Sequence, residues 1–351
     1  MSSRLRPTFL LVALLGAAAL AGCGSGADSS DDDSGDTTGS AAAADDAAFP
    51  VTIKHALGEA TIEEAPERVV TWGPSNQDSV LALGVTPVAM PFFDYGGDDE
   101  GVLPWVREAL GDADLPELLP NAAGEEIPYE AIAEAQPDVI LAVYSGLTQE
   151  EYDTLSAIAP TVAYPDAPWS TPWQEQTRVI GQALGRSAEA EQLVTATEEY
   201  LATRTDEYPE LAGATFAYGA EDGAQLALYT SDDVRVRLLT DLGMTLAPYV
   251  DEHAEGDGVY YYVSPELAGD IESDVFVAWF NDQAAADVFA ANPAYAQIPA
   301  VAAGAFAPIA GEDYVTASSA PSVLSIPWML DEYLPQLADA VTASGASATG
   351  E

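Results

Sequence analysis

The chain is poor in positive charge, in histidine and in cysteine, and each shortage removes a class of function. Ten Lys and Arg residues stand against 58 Asp and Glu in 351 residues, a formal net charge of -48. Nucleic acids are held mainly by Lys and Arg on phosphate, so a chain charged this way repels them, and nucleic-acid binding is set aside. The single cysteine, Cys23, excludes a disulfide within the chain. Two histidines, His55 and His253, and the lack of GxSxG, Walker, HExxH and CxxC patterns leave little machinery for catalysis. The apolar run from Phe9 to about Ala21 is shorter than the roughly 20 residues that a membrane-spanning helix needs.

That short run has a use of its own. Arg4 and Arg6 precede it, which gives the basic and apolar regions of a secretory signal. It ends in Leu20-Ala21-Gly22-Cys23, which resembles a bacterial lipobox, where the cysteine is lipidated and the signal peptidase cuts before it. Residues 1–22 therefore read as a lipoprotein signal peptide and Cys23 as the lipid attachment point. The protein is expected on the extracytoplasmic face of the membrane, held by its lipid. Residues 23–48 are acidic, without aromatics until the folded body begins, and cannot repay the entropy of ordering. They are expected to form a disordered tether with a reach of roughly 25 to 30 Å.

Beyond Phe49 short β-rich runs alternate with helical stretches, the pattern of an α/β protein. Strands are expected at 68–73, 85–90, 138–143, 161–164, 214–219, 225–230, 274–280 and 305–309. Several are apolar on both faces, as buried parallel strands are. An internal repeat organises them. "EAIAEAQPDVILA" from Glu130 matches "ELAGDIESDVFVA" from Glu266 in register at the Glu, the acid four on, the Asp eight on, and the following Val and Ala. Upstream of each lies a second matching pair, "SVLALGVTPV" with Gly84 and "RLLTDLGMTL" with Gly243.

Two lobes of one architecture follow, at 49–186 and at 209–343 with a C-terminal helix, before a flexible tail at 344–351. Between them "TPWQ" offers Thr171 as N-cap, Pro172 at the first helical position and Gln174 as a capping-box partner. A second helix over 187–208 ends before Pro209 and, at roughly 30 Å, is long enough to join the lobes as a strut. Lobes joined in this way would close only slightly on a ligand.

Ligands of open α/β sheets bind beyond the carboxyl ends of the strands. Those ends carry Trp72, Tyr144 and Tyr164 in the first lobe, and Tyr218, Trp279 and Phe280 in the second. Nearby loops add Phe93, Tyr95, Trp105, Trp169 and Tyr314. Facing strand ends would form an aromatic-lined cleft between the lobes. Glu130 and Glu266 open helices, where a carboxylate also stabilises the helix dipole.

The stretches "PERVVTWGPSNQDSVLALGVTPVAM", "YEAIAEAQPDVILAVYSGLTQEEYDTLSAIAPTVAY", "PWQEQTRVIGQALGRSAEAEQLV" and "PSVLSIPWMLDEYLPQLADAV" resemble the iron-siderophore branch of ABC-transporter substrate-binding proteins. The similarity runs nearly from Val51 to Val341. It implies two Rossmann-like lobes joined by one long α-helix, with the ligand cleft between them. It implies a monomeric receptor, not an enzyme, that carries a ferric siderophore to a permease dimer and has no resident cofactor or directly bound metal. In this family one glutamate on each lobe docks onto the permease, and the matching residues here are Glu130 and Glu266.

Family members that hold anionic ferric catecholates use several basic residues in the cleft, whereas hydroxamate binders combine aromatics with an arginine or so. Arg235 and Arg237 are the best-placed basic candidates, while Arg68 precedes its strand at the wrong end for a cleft. A ferric hydroxamate is therefore expected. Heme, a cobalamin, or bare Fe³⁺ on the tyrosines of "VYYYV" (259–263) are alternatives within the same fold. A hydrolase using Glu130 and Glu266 is the alternative of another class.

Overall fold

The computed structural model describes residues 48–120, 126–223, 225–254 and 258–345. The expected signal segment, Cys23, the expected tether as far as residue 47 and the expected tail from residue 346 lie outside the described residues. Among the described residues no helix is long and apolar enough to cross a membrane.

The first lobe opens with an antiparallel hairpin, β1 (Val51–His55) and β2 (Gly58–Ile62). There follow β3 (Val69–Thr71), α1 (Asn76–Ala82), β4 (Ala89–Pro91), α2 (Pro104–Leu110), β5 (Glu117–Leu119), α3 (Tyr129–Glu134), β6 (Val139–Leu141), α4 (Gln149–Ser156), β7 (Thr161–Val162) and α5 (Trp173–Ala183). Its five-stranded sheet is parallel, in the order β5-β4-β3-β6-β7. Every residue of β3, β4, β6 and β7 is buried, because helices cover both faces and an unbroken apolar run is what such a strand needs. Helix α4 starts at a full capping box, with Thr148 Oγ1 accepting from Glu151 N at 3.3 Å and Thr148 N donating to Glu151 Oε2 at 2.8 Å.

Helix α6 (Ser187–Glu207) leads to the second lobe, which contains β8 (Thr215–Asp222), β9 (Gln225–Tyr229), α7 (Val234–Asp241), β10 (Thr245–Leu246), α8 (Pro248–His253), β11 (Tyr260–Val263), β12 (Val275–Phe280), α9 (Gln283–Ala291), α10 (Pro299–Ala302), β13 (Phe306–Ala310), α11 (Glu312–Ser319) and α12 (Ser325–Ala343). Its sheet runs β11-β9-β8-β12-β13, with β10 beside the start of β8. The order β4-β3-β6-β7 of the first lobe thus reappears as β10-β8-β12-β13, all parallel, and the sequence repeat is a repeat of fold.

The matched residues have matched physical roles. Asp138 accepts hydrogen bonds from the backbone N–H groups of Glu67 and Arg68 at 2.8 and 3.0 Å, just ahead of β3. Asp274 accepts from Thr215 N and Oγ1, both at 2.7 Å, at the start of β8. Gly84 and Gly243 follow the C-caps of α1 and α7 with φ of 76° and 80°, the left-handed position that glycine adopts without a side-chain clash. What the second lobe adds is the antiparallel pair β9 and β11, inserted beside the end of β8.

Helix α5 departs from expectation at its start. It begins at Trp173, with Pro172 as N-cap and no side-chain cap. The Thr171 hydroxyl instead donates to Val143 O at 2.9 Å, tying the loop to the end of β6. The lobes also share more than a strut. One apolar cluster contains Met90, Trp105 and Val106 of the first lobe together with Phe216, Val275 and the α12 residues Ile326 and Leu330. Wide opening of the lobes would expose part of that core to water.

Candidate functional site

A cavity of about 540 Å³ lies between the lobes, and its lining is mostly apolar and aromatic. That size and character suit a ligand pocket. Its walls are built in turn from loops at the carboxyl ends of strands, where the fold places them.

The second lobe supplies the charged corner. Asp233 caps α7, accepting from Arg235 N at 2.8 Å through Oδ1, while Oδ2 receives Arg235 Nη1 at 2.7 Å. Arg235 Nε donates to Ser319 Oγ at 3.2 Å, and its guanidinium carbon sits 4.4 Å from the centre of the Tyr229 ring. Nη2 has no hydrogen-bond partner among the described residues. Burial pushes the Asp233 carboxyl up, and Arg235 opposes that shift. Burial works against the Arg235 cation, yet Asp233 and the surrounding tyrosines hold its pKa above the ordinary value. Trp279 Nε1 donates to Tyr229 Oη at 3.0 Å, which fixes the next part of the wall.

The first lobe faces this corner with Tyr144 and Trp169, edge to face with ring centroids 5.7 Å apart. Tyr144 reaches across the lobes, its Oη donating to Ser319 O at 3.0 Å. A second crossing closes the mouth, where Tyr95 Oη donates to Asn281 Oδ1 at 2.8 Å.

Six of the sequence candidates come together on this cavity: Phe93, Tyr95, Tyr144, Trp169, Arg235 and Trp279. Seven do not line it. Trp72 is buried in the first lobe's core, 5% exposed, although its backbone stands at a strand end. Trp105 is buried on α2 and donates Nε1 to Asp78 Oδ2 at 2.7 Å. Tyr218 lies beneath the cavity, 1% exposed, with its ring edge-on to Tyr229 at 5.4 Å.

Arg237 sits two residues beyond Arg235, and two residues on a helix never share a face. It turns away to Asp232 at 3.2 Å and to Ser231 O and Ser170 O. Tyr314 rests on Trp328, ring centroids 4.9 Å apart, and donates to Glu332 Oε2 at 2.9 Å. Tyr164 is likewise buried, with its Oη on Leu147 O, and Phe280 belongs to the second lobe's core.

The sequence reading missed Tyr229, Tyr260, Asp233 and Asn281 as wall residues. Tyr229 is the next-to-last residue of the expected strand 225–230 and the last of β9, so the strand-end rule applied to that strand would have found it. Tyr260 lies in "VYYYV", where Tyr262 shares its face of β11, ring centroids 5.4 Å apart, and donates Oη to Asp222, while Tyr261 points to the other face and donates Oη to Val250 O. The three phenols do not converge as ligands of one ion. Among the described residues no group of three or more His, Cys, Asp or Glu side chains is placed to hold a metal.

Glu130 and Glu266 are both exposed, in the first turns of α3 and of the 3-10 helix Pro265–Asp270, and neither lines the cavity. His55 is buried against Tyr152, ring centroids 4.9 Å apart, and burial lowers its pKa.

Comparison with known proteins places this geometry. Residues 69–309 match the family model described as "Periplasmic binding protein". Among curated proteins, the ferric enterobactin-binding periplasmic protein FepB of Escherichia coli O6:H1 is 27% identical over 275 residues, 74% of this chain and 83% of its own. Among solved structures, Streptococcus pneumoniae PiaA in complex with ferrichrome aligns with a TM-score of 0.77 and 33% identity, covering 83% of this chain and 99% of that one. A periplasmic solute binding protein from Mycobacterium smegmatis aligns with a TM-score of 0.69 and 30% identity, over 83% of this chain and 98% of its own.

Proposed function

The chain belongs to the periplasmic binding protein family, within its siderophore-binding ABC-transporter branch, and from that premise we propose that it is a lipid-anchored receptor, not an enzyme, for a ferric hydroxamate siderophore. Cys23 would carry the lipid, and an ABC permease would receive the ligand at Glu130 and Glu266. The iron is cargo, held by its chelator, and the protein contributes walls.

The named ligands of the relatives divide, ferric enterobactin in one and ferrichrome in another, so kinship alone does not choose. One observation carries the choice. Among the described residues that line the cavity only Asp94, Asp233 and Arg235 are charged, and the one cation among them is already paired with Asp233 at 2.7 Å. A lining with two acids and one arginine repels a triply negative catecholate complex, whose charge would be desolvated without a counter-charge. A neutral or cationic hydroxamate complex meets no such cost. Seven aromatic side chains offer it flat apolar surface, and the free Nη2 of Arg235 offers a donor to a chelating oxygen.

Titration of tryptophan fluorescence with ferrichrome, ferrioxamine B and ferric enterobactin tests the reading. The two hydroxamates are expected to bind at least tenfold more tightly than the catecholate, and the reverse ranking would overturn the hydroxamate assignment.

A further inference from the structure

Trp169 is held in a backbone conformation that a bulky residue rarely adopts, with φ of 60°. Such a conformation persists only where the surroundings over-determine it. Here the backbone N–H of Trp169 donates to Ser145 O at 3.1 Å, Ser170 Oγ donates to Ala167 O at 3.0 Å, and Thr171 fastens the loop to Val143 O. The loops that follow β6 and β7, adjacent parallel strands, are thereby drawn together beside the cavity.

The indole then lies where a side chain of residue 146 would be. A Cβ on Gly146 would stand 2.4 Å from Trp169 Nε1 and 2.5 Å from Cε2 and Cζ2, distances no real contact tolerates. Gly146 is not among the glycines of positive φ, so its backbone does not itself call for glycine. What calls for glycine is the ring. Trp169 is 37% exposed with Tyr144 at its edge, and it forms part of the cavity wall.

We infer that Gly146 is a positioning residue that determines ligand specificity: its missing side chain is the seat that sets the Trp169 indole into the cavity wall, so residue 146 controls the shape offered to the chelate. The inference rests on the chelate-binding reading above. Any larger residue at 146 displaces the indole and remodels the wall without touching the ligand itself.

The test uses G146A, W169A and the double variant. Protein labelled with 5-fluorotryptophan gives a fluorine resonance for each of the six tryptophans, with that of Trp169 assigned by its loss in W169A. Without ligand, G146A is expected to shift the Trp169 resonance and leave the others in place. With ferrichrome as the probe, G146A and W169A should each weaken binding at least tenfold, and the double variant no further, because both remove the same seated ring.

Should G146A fail to fold, the double variant is expected to fold, since the nearest atoms to the new Cβ all belong to Trp169. An unmoved Trp169 resonance overturns the seat. A moved resonance with unchanged ferrichrome affinity, or losses that add in the double variant, overturns the role in specificity. Wild-type protein that binds no ferric chelate overturns the chelate reading and the specificity role together, while the ligand-free spectrum still decides whether the seat exists.

Discussion

Asp78 and Ser322, one from each lobe, share a buried hydrogen bond of 2.6 Å from Ser322 Oγ to Asp78 Oδ2. The same oxygen accepts from Trp105 Nε1 at 2.7 Å, and Gln77 Nε2 reaches Oδ1 at 2.8 Å. Asp78 lies in the first turn of α1, where the helix dipole favours a carboxylate. A fully buried acid thus fastens α1 and α2 to the turn that leads into α12. None of these four residues lines the cavity, and the bond from Ser322 to Asp78 ties one lobe to the other.

This acid makes stability depend on pH in a definite direction. Burial pushes its carboxyl up to about 7, and its three hydrogen bonds oppose the shift. In the unfolded chain an aspartate titrates near ~4. Between those values the folded protein holds a proton that the unfolded chain has released. The stability due to Asp78 is therefore lowest above pH 7 and rises as pH falls through 7 toward 4. Urea denaturation at pH 8 and pH 5 is expected to show wild type gaining roughly 2 to 3 kcal/mol relative to D78N. Curves for the two proteins that move in parallel would refute the assignment.

Helix geometry separates the two arginines of α7. Arg235 holds Asp233, Ser319 and the Tyr229 face at once, which a planar guanidinium does and an ammonium does not. R235K is expected to weaken ferrichrome binding about tenfold, a loss of about 1.4 kcal/mol. R235A should in addition lower the unfolding midpoint, because it strands a buried carboxylate. R237A, which loses only contacts away from the cavity, should bind within about twofold of wild type. Isothermal titration of the three variants checks this, and a larger effect at Arg237 than at Arg235 would reassign the charged corner.

The lobes were legible because their signals are local and repeated. Buried parallel strands are unbroken apolar runs, helix ends carry Gly84 and Gly243, and Asp138 and Asp274 recur because each must satisfy the backbone at the start of a neighbouring strand. The site was legible only in part. Strand-end reasoning gives the position of a backbone and not the direction of its side chain, so Trp72 and Tyr218 sit at the right level yet point into the core. Thr171 reads as an N-cap until the fold provides Val143 O as a better partner. Tyr229 and Tyr260 reach the cavity through the β9–β11 insertion, whose antiparallel pairing leaves no trace in the repeat.

If Glu130 and Glu266 dock the permease as proposed, docking and binding are separable, because both residues stand outside the cavity, each exposed in the first turn of its helix. The repeat gives them equivalent places on two equivalent lobes, which suits a receptor that sits on a two-fold permease. Charge at those places would meet permease cations without touching the ligand. E130A with E266A is therefore expected to leave ferrichrome affinity within about twofold, at the precision of a fluorescence titration, and to reduce cellular uptake of radioactive iron at least tenfold. Each single variant should fall between, since one lobe still docks. C23S should reduce uptake by another route, releasing the receptor from the membrane fraction while the purified protein binds as before. Uptake that survives the double glutamate variant, with the protein present at the membrane, would remove both residues from the docking surface.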